Sequence, residues 1–267
     1  LNRERINKTN MRIFLIGFGN MGRAIAKSLS LKSGYEISVA SKDGLRDTTA
    51  SEYSVTIDNL YSGLKNADAI ILAVKPQDLS ALALEVKEKI GEHTIIISIA
   101  AGVTIEKIKK LFGREKIVRV MPNLGLSVGE GISAWKSSGL SSSDLEKVQA
   151  LLNDLSENFE VEKENDIDAV TAISGSGPAY FFLFAQALEK SARALGLSAT
   201  QARALVEKTL SASASLQKGK SYGELISAIA SKGGTTEAAL SVFNERQLSS
   251  IVEEAAKAAY KRAQELN

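Results

Sequence analysis

The sequence contains no cysteine, so it offers no disulfide framework, no thiol nucleophile and no cysteine-based metal site. That absence fits a reducing, cytoplasmic setting. Its single histidine, His93, sits in the polar turn Gly91-Glu92-His93, where a solvent-exposed turn residue is expected rather than a proton donor. No acid–base pair, metal-ligand cluster or nucleophile motif stands out along the chain. Long apolar runs are missing too: Ala69–Val74 and Ile95–Ala101 are too short to span a bilayer. The first ten residues are polar and lack the apolar centre of a signal peptide. Met11 reads as a natural start, with Leu1–Asn10 as a frayed or added extension. A net charge of only +2 leaves no electrostatic footprint for nucleic acid. The remainder, 44% hydrophobic and 24% charged over 267 residues, is an ordinary globular balance, enough for one large domain or two smaller ones.

The most informative stretch is Met11–Lys27, MRIFLIGFGNMGRAIAK. Arg12–Ile16 is an apolar run of strand length. Gly17-Phe18-Gly19-Asn20-Met21-Gly22 follows at once, and Ile25 and Leu29 then recur at helical spacing. Strand, glycine turn and helix form the context in which G-x-G-x-x-G marks a dinucleotide site rather than a chance match. The first glycine permits the tight turn, the second lets the backbone approach a pyrophosphate, and the third lets helix pack on strand. The helix N-terminus offers unpaired N–H groups and a partial positive charge to the phosphates. The competing reading is a glycine turn inside an ordinary α/β unit.

Tyr35–Ala40 reads as a second strand. Its end lies about 20 residues past the glycines, where an acidic residue would hold the ribose of NAD. Here stand Ala40, Ser41 and Lys42, with Arg46 close behind and Asp43 among them. The hydroxyl and cations favour a 2′-phosphate and hence NADPH, with NADH possible and a solvated turn as the bland alternative. Ala69–Val74, Ile95–Ser98 and Ile117–Val120 read as further strands. They run into Val74-Lys75-Pro76, Ala100-Ala101-Gly102 and Met121-Pro122-Asn123. In open α/β sheets ligands bind at such carboxyl ends, so Val74, Lys75, Pro76, Ala100 and Asn123 are candidate cofactor neighbours. Pro76 also suits the first position of the next helix. With helices over Leu79–Ile90 and Ile105–Leu111, the alternation predicts a doubly wound, mainly parallel sheet.

Ser143-Asp144-Leu145-Glu146 reads as a capping box opening a helix to about Leu155, and Phe159–Lys163 as a last strand. Beyond Glu164 the composition turns helical and rich in Ala and Ser, which predicts a Rossmann domain over 11–163 and an all-α domain over 164–267. In the latter, Ile167–Ile173 starts a helix that Ser174-Gly175-Ser176-Gly177-Pro178 interrupts, with Ser176 as the cap of a new one. Tyr180–Leu195 is apolar nearly all round and is expected to be buried. Ser198–Gln201 and Ser221–Glu224 open further helices, and Gln247–Leu266 is a final amphipathic one. Ser231-Lys232-Gly233-Gly234-Thr235-Thr236 is a second glycine-rich turn into a helix. Two readings stand level: an anion site with two threonine donors, or a helix–helix turn capped by Thr235 or Thr236.

Taken together, Gly17–Gly22, Ala73–Pro76, Ser98–Gly102, Arg119–Asn123, Ser174–Tyr180 and Gly233–Thr236 resemble pyrroline-5-carboxylate reductases, from Met11 to near the C-terminus. The resemblance implies a Rossmann domain followed by an α-helical dimerisation domain, in a homodimer or an assembly of dimers. It implies reduction of 1-pyrroline-5-carboxylate to L-proline with NADPH or NADH. It also implies that Ser231, Gly233, Gly234, Thr235 and Thr236 hold the substrate carboxylate, with Thr236 touching the ring nitrogen as the catalytic residue. Two departures bear on substrate range. Lys232 stands where the family's loop has proline, and Leu124-Gly125 follows Asn123 where Thr-Pro is usual. A protonated imine would accept hydride without a strong general acid, so the chain must chiefly supply alignment. The substrate loop is expected to meet the cofactor crevice near a subunit interface. A β-hydroxyacid dehydrogenase is the enzymatic rival, but after Gly177 no lysine occurs until Lys190. A non-catalytic NADP sensor or scaffold is the rival of another class.

Overall fold

The computed structural model describes residues 11–42, 44, 47–217 and 219–266. The extension Leu1–Asn10 and the predicted phosphate neighbour Arg46, with Asp43, lie outside the described residues. By packing, the chain divides into two compact units. One runs to Gly175 and takes back the chain from Ala259; the other is Ser176–Ala258.

In the first unit strands and helices alternate. β1 (Met11–Ile16), α1 (Asn20–Ser30), β2 (Tyr35–Ala40), α2 (Asp47–Glu52), β3 (Thr56–Ile57), α3 (Leu60–Asn66) and β4 (Ala69–Leu72) come first. Then follow α4 (Leu79–Val86), β5 (Ile95–Ser98), α5 (Ile105–Phe112), β6 (Ile117–Pro122), β7 (Ile132–Ser138), α6 (Ser142–Leu155), β8 (Glu157–Glu160) and α7 (Asp166–Val170). The strands form one sheet in the order β3-β2-β1-β4-β5-β6-β7-β8. Every pairing is parallel except β6 with β7. Period-2 alternation sorts the side chains onto two faces. Ile13, Leu15, Ile71, Ile97, Val118 and Val120 meet α1 and α6 through Ile25, Leu29, Val148 and Leu151. Phe14, Ile16, Ile70, Leu72, Ile96 and Ile117 meet α3, α4 and α5 through Leu64, Leu79, Val86, Ile108 and Phe112. Cover on both faces is what a parallel sheet requires, and it explains why these strands read as continuous apolar runs.

Several local expectations shift. β4 stops at Leu72, so Val74 and Lys75 lie beyond the strand; Pro76 does open a short 3₁₀ turn before α4. The cap of α6 is Ser141, whose hydroxyl accepts the Asp144 N–H while the Asp144 carboxylate reaches back, so the box starts two residues earlier than the sequence suggested. The last strand is Glu157–Glu160 rather than Phe159–Lys163, because its register is set by β7 and by Trp135 Nε1 donating to Asn158 Oδ1 at 3.0 Å. β7 itself went unread. Its serines and lysine mask a segment in which both Ala134 and Trp135 are buried. Gly102 adopts a positive φ of 68°, and a Cβ there would lie 2.4 Å from Leu266 Cβ, so the chain's last turn is seated on the loop after β5.

The interruption expected at Ser174–Pro178 is present: a π-type turn over Thr171–Gly175 ends there, and Ser176 is the N-cap of a new helix with Pro178 in its first turn, although the Ser176 hydroxyl makes no capping hydrogen bond. α8 (Gly177–Ala194) follows directly. The second unit then contains α9 (Ala199–Leu216), α10 (Tyr222–Ile229), α11 (Thr235–Glu245) and most of α12 (Leu248–Glu265). The boxes Ser198/Gln201 and Ser221/Glu224 cap α9 and α10 as the spacing predicts. The expected burial of α8 is not met in the single chain: Phe181, Phe182 and Leu183 are 66%, 62% and 68% exposed. An apolar face of this kind on one chain marks a surface awaiting cover. Among the described residues no helix is long and apolar enough to cross a membrane.

Candidate functional site

The sheet order changes direction at β1, which lies between β2 and β4. Crevices that bind ligands open at such a switch point, outside the carboxyl ends of the strands. The glycine turn leaves β1 there. Gly17 has φ +100°, and a Cβ on it would lie 2.7 Å from the Ala73 carbonyl carbon and oxygen. Its N–H donates to the Ala40 carbonyl at 2.9 Å, tying the turn to the end of β2. A Cβ on Gly22 would lie 2.3 Å from the Gly17 oxygen, so helix and turn are in backbone contact. Gly19 differs: it caps α1, and a Cβ there would meet nothing within 4 Å. The three glycines thus divide into two that the protein presses against and one left open on the side where a pyrophosphate approaches. No side chain caps α1 and no acid lies in its first turn, leaving its leading N–H groups for an anion.

Phe18 turns inward instead. It is buried, edge-on to Tyr53 with ring centroids 5.4 Å apart, and its carbonyl accepts from Arg23 Nε at 3.1 Å. Phe18 therefore anchors the turn, while Asn20 and Met21 begin the helix. Ser41 and the exposed Lys42 follow β2, closed by the Gly44 N–H bonding the Ser41 carbonyl at 3.1 Å. The Ala73 N–H donates to the Ile16 carbonyl at 2.8 Å, which brings the Val74-Lys75-Pro76 segment beside the glycine turn. Ala100 is buried after β5, its N–H held by Ser98 Oγ at 3.3 Å. Asn123, just past β6, donates from Nδ2 to Ser174 Oγ at 3.1 Å and accepts the Ile132 N–H at 3.3 Å. Ser174, on the π-type turn, is a partner the sequence reading did not assign to the crevice. The seven-residue match at Ser174–Tyr180 was its only signal. His93 is exposed in its turn, as expected.

The second glycine loop belongs to the helical unit. Gly233 takes φ +72°, and the Gly234 N–H closes on the Ser231 carbonyl at 2.9 Å. A Cβ on Gly234 would lie 2.6 Å from Ser231 Oγ and 3.0 Å from the Ser231 carbonyl oxygen, so a side chain there would have to push the serine hydroxyl aside. Gly234 is the N-cap of α11, with no side-chain cap, and Thr235 and Thr236 are its first two residues. The reading in which a threonine caps the helix is thereby corrected: both hydroxyls lie past the cap position, and the Glu237 carboxylate reaches back instead, to the Gly233 N–H at 2.6 Å. The loop presents first-turn N–H groups and two hydroxyls, a donor set suited to a carboxylate.

Elsewhere in the first unit, charged groups tie secondary structure together. Asp68, bridged to Arg12 at 2.9 Å, has its carboxyl held below the usual range by that guanidinium. Lys116, 2.8 Å from Asp144, does the same for the acid of the α6 capping box. Burial, reinforced by a hydrogen bond to Asp154, raises the Tyr35 phenol well above its ordinary value and keeps it a donor.

A doubly wound sheet, a glycine turn at its switch point and a hydroxyl and lysine after β2 define the class: a Rossmann-type, dinucleotide-dependent oxidoreductase. Comparison with known proteins narrows it. The family model described as NADP oxidoreductase, coenzyme F420-dependent, matches residues 12–102, and that described as pyrroline-5-carboxylate reductase dimerisation matches residues 164–266. A pyrroline-5-carboxylate reductase of Aquifex aeolicus (strain VF5) is 38% identical over 250 residues, covering 91% of this chain and 93% of its own. Among solved structures, a Plasmodium falciparum pyrroline carboxylate reductase with NADP bound superposes with a TM-score of 0.85 at 28% identity, covering 96% of this chain and 98% of that one. A Coxiella burnetii pyrroline-5-carboxylate reductase gives 0.83 at 32% identity, covering 98% and 99%. The chain belongs to the pyrroline-5-carboxylate reductase family.

Proposed function

We propose that this protein reduces 1-pyrroline-5-carboxylate to L-proline, the last step of proline biosynthesis, with NADPH as the hydride donor. The observation that carries the reading is the pair of backbone-lined turns, Gly17–Gly22 and Ser231–Thr236, each built around glycine and each opening a helix. The first fits a dinucleotide: Gly19 leaves room for it while Gly17 and Gly22 do not. When bound, NADPH supplies the hydride that adds to the imine carbon. The chain's own part is to bind and align. The α1 N-terminus takes the pyrophosphate. Ser41 and Lys42, with Arg46, take the 2′-phosphate. Val74, Lys75, Pro76, Ala100 and Asn123 border the nicotinamide. Ser231 and the first-turn amides of Thr235 and Thr236 hold the substrate carboxylate, Gly233 and Gly234 shape the turn that presents them, and the Thr236 hydroxyl orients the ring nitrogen. The imine arrives protonated, so adding hydride discharges the iminium and leaves that proton on the amine of proline. No side chain has to deliver a proton to the nitrogen during the transfer. Alignment of two bound reactants lowers such a barrier by roughly 7–11 kcal/mol.

The exposed apolar face of α8 supports a homodimer assembled through the helical region. The cysteine-free composition supports a cytoplasmic location. NADPH oxidation is to be followed with pyrroline-5-carboxylate, with a larger cyclic imine, with a hydroxyacid plus NADP and with no substrate. Turnover with the first and not the hydroxyacid is expected; a chain that binds NADPH yet turns over none of them would refute the enzymatic reading. Thr236→Ala should lower kcat roughly tenfold or more, the scale of a hydrogen bond to a charged group, without changing NADPH affinity.

A further inference from the structure

Arg119 is out of place in β6. The strand is otherwise apolar, yet this guanidinium is 1% exposed. A buried charge is tolerated only when it is paired and hydrogen-bonded. Arg119 Nη2 donates to Asp168 Oδ1 at 2.5 Å, and Asp168 is itself 1% exposed. Nη1 donates to Glu164 Oε1 at 3.1 Å, and the same oxygen accepts the Ile105 N–H at 2.7 Å. Nε meets no protein acceptor. One cluster therefore ties β6, the first turn of α5 and both ends of the Glu164–Asp168 segment. Ile167 packs beside it against Met121 and Ala134.

What this cluster holds is specific. Four residues along from Arg119 is Asn123, and six along from Asp168 is Ser174, the two side chains that clasp at 3.1 Å. Between Asp168 and Ser174 the backbone is a π-type turn, whose wider winding rotates the residues that follow. Thr171 Oγ bonds back to the Ile167 carbonyl at 2.8 Å, so the turn is anchored on the very helix that carries Asp168. Apolar packing alone lets such a helix slide, since dispersion contacts are non-directional. The ion pair adds a direction.

We propose that Asp168 is a positioning residue for the cofactor: paired with Arg119, it fixes α7 against β6 so that Ser174 holds Asn123 at the border of the crevice. The proposal rests on the assignment of Asn123 to the nicotinamide border made above. The experiment measures NADPH affinity by direct titration without substrate, together with Tm, for Asn123→Ala, Ser174→Ala, Asp168→Asn and Asp168→Asn/Ser174→Ala. Ser174→Ala is expected to weaken NADPH by about two- to tenfold, the scale of one net hydrogen bond. Asp168→Asn should weaken it by a similar factor. Because both act through one contact, the double variant should be no weaker than the weaker single, a departure from additivity that independent sites do not show. Asp168→Asn leaves Arg119 buried with less compensation and is strongly destabilising in principle, so Arg119→Met/Asp168→Leu is measured beside it; replacing both charges by apolar groups generally preserves folding. That folded variant should show the same loss of affinity. Wild-type affinity in either Asp168 variant, or effects that multiply in the double, overturns the proposal while leaving the cofactor assignment intact. Unchanged affinity in Asn123→Ala overturns the assignment of Asn123 and the proposal with it.

Discussion

Gly19→Ala separates binding from folding in a way few substitutions can. Gly19 has φ −73° and ψ −167°, a backbone that alanine adopts freely, and the added Cβ would touch no protein atom within 4 Å. Loss of unfolded-state freedom stabilises the variant by about 0.4–1 kcal/mol. The poorer N-cap preference of alanine offsets this by a comparable ~0.5–1 kcal/mol. The two nearly cancel, so Tm should move by less than about 4 °C in either direction. Cofactor affinity should not be spared. The methyl group enters the space through which a pyrophosphate meets the backbone, and a hydrogen bond to a charged group is worth about 1.5–3 kcal/mol, or roughly a 10- to 150-fold rise in Kd for NADPH. Gly22→Ala is the contrast: its Cβ would lie 2.3 Å from the Gly17 oxygen, and overpacking of this kind costs ~1–3 kcal/mol or more of stability. Thermal melts and a fluorescence titration with NADPH decide the matter. A Gly19→Ala protein with unchanged melting and unchanged NADPH affinity would refute the reasoning, as would one that melts as early as Gly22→Ala.

Three further outcomes follow from the same structure. Ser41→Ala/Lys42→Ala should raise KM for NADPH several-fold and leave KM for NADH nearly untouched; equal changes would remove the 2′-phosphate from that loop. Because Lys116 lowers the folded-state pKa of Asp144, the stability this acid contributes is full above about pH 4, the ordinary carboxyl value, and is lost as pH falls below it. Tm measured from pH 6 to pH 3 should therefore fall more steeply for the parent than for Asp144→Asn, whose profile starts lower. Phe182→Arg, on the exposed face of α8, should convert a dimer to a monomer in light scattering at micromolar concentration, and a monomeric parent protein would contradict the assembly.

Legibility in the sequence tracked burial and local chemistry. β5 was bounded to the residue because a strand covered on both faces is a short unbroken apolar run, and β2 because buried Ile37 and Val39 alternate with Glu36 and Ser38. The tight turn at Gly17 and the close packing at Gly22 were legible because each is a backbone constraint that a side chain would violate. Failures occurred where a neighbour, rather than the local sequence, sets the conformation. β7 is held by β6 in the one antiparallel pairing, and its alternation of serine with buried Ala134 and Trp135 has no clean period. α2, α3 and β3 are too short to carry a periodic signal. The break at Ser174–Pro178 was legible from its two glycines, but the π-type winding of Thr171–Gly175 that leads into it has no sequence signal. The Arg119–Asp168 pair spans 49 residues and no motif announces it.

The seat that Gly102 provides for Leu266 has a practical consequence for dissecting the molecule. Residues from Ala259 onward group with the strands, so the helical segment Ser176–Ala258 is inserted in sequence between two parts of the nucleotide-binding unit. A fragment cut at Gly175 would forfeit that closing turn and bare the bend after β5, and should be less stable than its complete sheet suggests. Residues 259–266 have to be kept with the strands in any attempt to obtain the nucleotide-binding half on its own.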